Sequence, residues 1–184
     1  MMKTKHSIIK RICIDGMMTA IYIALTFLVI KIGDVHISFA ALPIAFVTLC
    51  IGLPDGLIIS FLGIFAQQMI EYGFGPTTFL WIVPHLVRVL VLYLFHLPFK
   101  KKGSALYDHI VWYFVGMIVS ALFLTAFNTA VMYLDGLILG YPVAYTAIMT
   151  IIRFATGMAS NAIVAIVLLP VIRALKKNGK LSDI

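Results

Sequence analysis

The sequence predicts an all-α integral membrane protein of six transmembrane helices, with both termini cytoplasmic. Composition, run length and the placement of basic residues predict it together. The chain is 62% hydrophobic and only 11% charged, with a mean hydropathy of +1.08. A soluble globular chain is about 45–50% apolar and about 25% charged. Too little polar material is present to cover a water-facing surface, so the chain must be solvated by lipid. The apolar runs are long and do not alternate, which excludes a transmembrane barrel built from ~10-residue alternating strands. Six spans of about 20 residues use about 120 residues, so the 184 residues make a single six-helix membrane domain, 1–184.

The first span is expected from Ile12 to Ile30, ended by Lys31-Ile-Gly-Asp34. Lys3, Lys5, Lys10 and Arg11 precede it as in a signal peptide, but the run continues without a small-residue cleavage site, which predicts a retained helix. A second, shorter segment covers Ser38 to Ile51 and stops at Gly52-Leu-Pro-Asp-Gly56. A third follows from Leu57 to Ile70 and ends in the turn-rich Glu71-Tyr-Gly-Phe-Gly-Pro76. Thr77 or Thr78 is placed to cap a fourth helix reaching Phe95. Phe99-Lys-Lys-Lys-Gly103 reads as a linker, His109 to Leu134 as the fifth span, and Asp135-Gly…Gly-Tyr-Pro142 as a loop. The last stretch, Val143 to Ala174, is longer than a span requires, which calls for tilt or an outer turn.

The basic residues orient the bundle, because Lys and Arg concentrate on the cytoplasmic side. With an even number of spans, the four before the first span, Lys100–Lys102 and the four from Arg173 onward share one face, while Lys31 stands alone opposite. The net charge of +7 is therefore a membrane-leaflet signal rather than a nucleic-acid one. Cys13 and Cys50 lie in apolar segments without metal-type spacing and read as small hydrophobes.

Two basic residues remain inside spans. Arg88 lies about eleven residues into the expected fourth span and Arg153 at a similar depth in the sixth. A central arginine costs about 2.5–3.5 kcal/mol on insertion scales. All seven acids are expected at loops or ends, so an intramembrane ion pair is hard to build. An anionic ligand in a water-accessible cavity is the simplest partner, since a guanidinium fork holds a carboxylate by two parallel bonds. Backbone carbonyls at a broken helix, or a lipid phosphate, are the plainer alternatives.

Gln67, Asn128 and Asn161 offer donors and acceptors for the neutral polar part of a ligand, or act as interhelical glue. His85, three residues before Arg88, shares its helical face, as a ligand contact or a packing residue. Trp81 is two turns outward on that face, as a lid or a member of the interfacial aromatic belt. No second His or acid has the spacing for a metal. There is no nucleophile–base pair or paired carboxylate, so no enzyme is expected, and without a P-loop the chain cannot by itself power transport by nucleotide hydrolysis. Ala20-Ile-Tyr-Ile-Ala24 sets two small side chains one turn apart, a face that another helix can approach.

With these residues the chain resembles the substrate-binding S components of energy-coupling factor (ECF) vitamin transporters. The resemblance rests on length, six spans, Ala20-x-x-x-Ala24 and the outer loop before the fourth helix. Gly73-Phe-Gly-Pro-Thr-Thr-Phe-Leu-Trp-Ile-Val-Pro84, followed by Arg88, is similar to the pantothenate type. The resemblance implies a multi-pass protein of the bacterial cell membrane that captures a water-soluble vitamin in an outward pocket. Its partners would be an ECF transmembrane subunit, docked on Ala20 and Ala24, and two cytoplasmic ATPase subunits. ATP would be used by those subunits, and no cofactor is expected in this chain. Arg88 or Arg153 would clamp the carboxylate of pantothenate, with Asn128, Gln67 and Asn161 on the rest. Folate, cobalamin and other vitamins stay open as substrates. A small lipid-modifying enzyme using His85 and Arg88, and a ligand-free assembly protein, are the readings from other classes.

Overall fold

Helix α1 covers Met2–Phe27, strands β1 and β2 cover Val29–Ile32 and Val35–Ser38, and α2 covers Ala41–Cys50. Helices α3, α4, α5 and α6 follow at Leu53–Glu71, Val83–Lys101, Ile110–Leu139 and Val143–Lys177. Short 3-10 turns, Leu80–Ile82 and Leu106–Asp108, lead into α4 and α5. The computed structural model describes residues 2–32, 35–140 and 143–178; the side chains of 2–7, 29–37, 143–149 and Arg153 lie outside that description.

Four helical segments are long and apolar enough to cross a bilayer: Leu53–Glu71, Leu80–Lys101, Ile110–Leu139 and Thr150–Lys177. The first two expected spans look different. Helix α1 has 26 residues, but Lys10, Arg11 and Asp15 interrupt its apolar run. Helix α2 has only 10 residues, about 15 Å of rise against a hydrocarbon layer of about 30 Å. It is apolar because protein encloses it. Every residue from Pro43 to Leu49 is buried, and α2 packs on α1, α3, α4 and α6.

Ile30 is expected in the first span and Ser38 in the second segment. The structure instead ends α1 at Phe27 and places both residues in an antiparallel hairpin, with Val29 opposite Ser38 and Ile32 opposite Val35. Valine and isoleucine at alternating positions favour the pleated backbone over a helix. A second correction concerns Asp135, expected in a loop. Helix α5 continues through it to Leu139 and stops at Gly140, whose φ of 80° is the left-handed conformation that ends helices. The Gly140 N–H donates to the Gly136 carbonyl at 2.8 Å. The apolar run Leu137-Ile-Leu139 keeps the helix going past the aspartate.

Glycine lets the helices approach. A Cβ on Gly63 would lie 2.6 Å from Cδ1 of Tyr22, so α1 lays an aromatic ring directly on the α3 backbone. A Cβ on Gly56 would overlap the Thr48 hydroxyl, which does the same for α2 and α3. Close backbone contact of this kind drives helix association where lipid removes the hydrophobic incentive. The outer faces carry large apolar side chains, among them Leu94 at 61% exposed, Val111 at 69% and Ile151 at 75%. That surface suits hydrocarbon and not water.

Buried acids appear where none was expected. Asp55, in the first turn of α3, is 3% exposed and accepts both Nε and Nη2 of Arg11. Asp15 on α1 is 8% exposed. Asp55 lies in the first turn of α3 and Asp15 midway along α1, and among the described residues neither forms an ion pair with Arg88.

Candidate functional site

Arg88 anchors the polar centre of the bundle. It is the sixth residue of α4, only about 8 Å of rise from the start of that helix, and so nearer the helix end than the sequence placed it. The reason is that the residues before Leu80 form turns. Thr78 does not cap α4; its hydroxyl accepts the Gly75 N–H at 2.9 Å and closes the preceding turn. Pro84, at the second position of α4, needs no hydrogen-bond acceptor there and starts the helix.

The Arg88 side chain is 2% exposed. Its Nη2 donates to Oδ1 of Asn161 on α6 at 2.6 Å. Asn161 is fixed in turn: its Nδ2 donates to the Gly157 carbonyl at 2.8 Å, one turn back on the same helix. Gly157 lies against α5, where a Cβ would be 3.1 Å from the Thr125 hydroxyl. Asn161 thus acts as a strut that orients a buried guanidinium. No carboxylate lies within ion-pair distance of Arg88 among the described residues. Its Nε is buried without a hydrogen-bond partner, and so is Nδ1 of His85, one turn earlier. Two orphaned polar atoms on one face of α4 are costly unless something completes them.

A second polar chain runs along the same end. The Tyr22 hydroxyl of α1 donates to Oε1 of Gln67 on α3 at 2.7 Å. Gln67 Nε2 reaches both Glu71 oxygens at 3.3 and 3.4 Å. Tyr22 is also within electrostatic range of Arg88. The fold therefore brings Arg88, His85, Gln67 and Asn161 together from the residues expected, and adds Tyr22, Glu71 and Gly157. Trp81 sits in the 3-10 turn before α4 and is half-buried. Asn128 is half-buried on α5, three residues beyond Thr125. The side chain of Arg153 lies outside the described residues. Ala20 and Ala24 are exposed on α1, while Tyr22 between them is 2% exposed and points inward.

A buried cation with an open donor, rimmed by amides and a phenol, can hold a small anionic molecule with hydroxyl or amide groups. Comparison with known proteins agrees in kind. The family model for the ECF transporter substrate-specific component matches residues 10–174. The chain belongs to that family. It is the substrate-specific, membrane-embedded component of an ECF transporter, a family whose members work with an ECF membrane subunit and ATPases and are not enzymes. The S-component fold is shared with solved structures of low sequence identity. The S component of a bacterial ECF transporter matches with a TM-score of 0.66 and 20% identity, over 93% of this chain and 98% of that one. ThiT from Listeria monocytogenes matches with a TM-score of 0.64 and 14% identity, over 95% and 98% of the two chains. No curated protein matches the sequence.

Proposed function

We propose that this S component captures pantothenate, and that the ligand carboxylate completes the open donor side of Arg88. The buried, acid-free guanidinium with its partnerless Nε is the observation that carries the reading. Pantothenate brings one carboxylate, two hydroxyls and an amide on a short apolar frame. The hydroxyls and amide suit Gln67, Tyr22 and Asn128, with His85 and Trp81 beside the carboxylate. Arg153 is a second candidate for the anion. The similarity of Gly73 to Pro84 to pantothenate-type S components supports the choice of vitamin.

In this reading the six helices lie in a bacterial cell membrane with both ends cytoplasmic, and the Arg88 end faces outward. Lys100 to Lys102 and the basic end of α6 then lie at the inner leaflet, as charge asymmetry requires. Ala20 and Ala24, exposed on α1, form the face that docks on the ECF transmembrane subunit, which two cytoplasmic ATPases drive.

Mass spectrometry of small molecules retained by the purified chain tests the substrate. Retained pantothenate, or calorimetric binding of added pantothenate, is expected. Retention of folate, cobalamin or another vitamin in its place would replace the substrate, and a chain that binds none of them would overturn capture itself.

A further inference from the structure

At the end of the bundle remote from Arg88, α4 and α5 enclose a second feature. A groove of about 370 Å³ is lined by Leu94, Phe95, Pro98 and Phe99 of α4 and by Trp112 of α5. Leu94 is 61% and Trp112 53% exposed, so the groove opens on the outer, lipid-facing surface of the bundle. Its floor is aromatic, with the Phe99 ring 4.8 Å from that of His109 and 6.4 Å from that of Trp112.

One end of the groove is basic. Lys101, the last residue of α4, lies seven beyond Leu94 and so continues the groove face, and Lys102 follows it at the C-cap, three residues beyond Phe99 of the lining. Lys100 points elsewhere, 5.9 Å from the centre of the Tyr93 ring. Among the described residues, Lys101 and Lys102 are exposed and have no ion pair. Asp108, the acid of this connection, is taken by Lys176 at 2.7 and 2.8 Å. Helix α5 begins beside the groove with no acidic residue in its first turn and no side-chain cap, so its N–H groups favour an anion. An apolar slot that faces lipid and ends in unpaired positive charge matches one molecule: a lipid with apolar tails and a negative headgroup.

We propose that the α4–α5 groove holds an acyl chain of an anionic diacyl phospholipid, whose phosphate rests on Lys101, Lys102 and the first turn of α5. A protein segment fits less well, because the lysines would then need an acidic partner at the same height. A water-soluble ligand is disfavoured by the wholly apolar lining.

The two tryptophans of the chain are Trp81 and Trp112, so Trp81→Phe leaves Trp112 as the sole reporter inside the groove. In reconstituted vesicles, phosphatidylglycerol brominated on its chains should quench Trp112 at a lower mole fraction than equally brominated phosphatidylcholine. The preference should be about fivefold for each lysine engaged. Combining Lys101→Gln with Lys102→Gln should bring the two lipids to parity. Native mass spectrometry of the wild-type chain provides an independent measurement: phosphatidylglycerol retained over excess phosphatidylcholine, and no longer retained in the double variant. Equal quenching by both lipids, or a preference that survives the lysine changes, overturns the proposal. So does a Trp112 that no brominated lipid quenches, the signature of a groove filled by protein.

Discussion

Replacing Arg88 by methionine separates a binding role from a structural one, because the two predict opposite changes in stability. The methionine keeps most of the buried volume but removes the charge. Arg88 donates a hydrogen bond to Asn161 at 2.6 Å, and its loss strands the Asn161 oxygen at a cost of about 1–3 kcal/mol. Against this, an uncompensated buried charge costs several kcal/mol, and apolar replacements of buried ions are often neutral or stabilising by about 1–4 kcal/mol. The second effect is the larger, since Nε has no partner to lose. Ligand-free Arg88→Met protein should therefore melt at the parent temperature or above it. Binding should behave in the opposite sense. Two charge-assisted bonds to a carboxylate contribute about 1.5–3 kcal/mol each, so Kd for pantothenate should rise by about 10²- to 10⁴-fold. Thermal unfolding in detergent and calorimetric titration measure the two quantities on one preparation. A Kd that does not move would remove Arg88 from the site, and a marked fall in melting temperature would make it a structural keystone instead.

Other changes test the fold and the assembly. Gly63→Val should force the Tyr22 ring off α3, since even a Cβ would lie 2.6 Å from Cδ1; overpacking of this kind costs about 1–3 kcal/mol, read as a lower melting temperature. Ala24→Trp should leave ligand binding intact and block uptake by the assembled transporter, because Ala24 is on the outer face of α1; uptake assays beside binding titrations check it. For Asp108, burial acts to raise the carboxyl, but hydrogen bonds from Lys176 and the Ala105 N–H outweigh it and hold the group below its ordinary range. Its contribution to stability is therefore present above the usual carboxylate pKa of about 3.9 and is lost as pH falls through the depressed value. Because the pair with Lys176 is partly exposed, that contribution should be only about 0.2–1 kcal/mol. Asp108→Asn should abolish this acid-limb component in melting curves recorded against pH.

The membrane architecture was largely legible, and the departures have physical causes. Apolar run length identifies α3 to α6 because each must satisfy lipid along most of its length. It fails for α2, since a helix enclosed by protein is as apolar as one enclosed by lipid, and only its 10 residues betray the difference. The hairpin escapes notice because Lys31-Ile-Gly-Asp34 reads as a plain break between two spans; the alternating β-branched residues of Val29-Ile-Lys-Ile32 and Val35-His-Ile-Ser38 are the available signal. Asp135 was read as a loop marker, yet one acid does not end a helix when glycine five residues later does.

At the site, Arg88, Asn161, Gln67 and His85 stood out because a polar group inside a span needs a partner. Tyr22 did not, since a tyrosine in an apolar run reads as another hydrophobe until its hydroxyl is found on Gln67. Its position was marked all the same, midway between the two alanines of Ala20-Ile-Tyr-Ile-Ala24 and hence on the opposite face. Nothing in the sequence pairs Arg88 with Asn161, 73 residues away.

That single turn of α1 has a thermodynamic consequence. One side presents the smooth alanine strip, and the other hangs a phenol into the polar network behind Arg88. Under the docking proposed above, a partner that presses on the strip would shift the phenol as well, because a helix transmits displacement as a rigid rod. Linkage then makes the traffic two-way: whatever factor docking applies to ligand affinity, ligand occupancy must apply to docking affinity. An S component built this way cannot sense its cargo without its partner sensing it too.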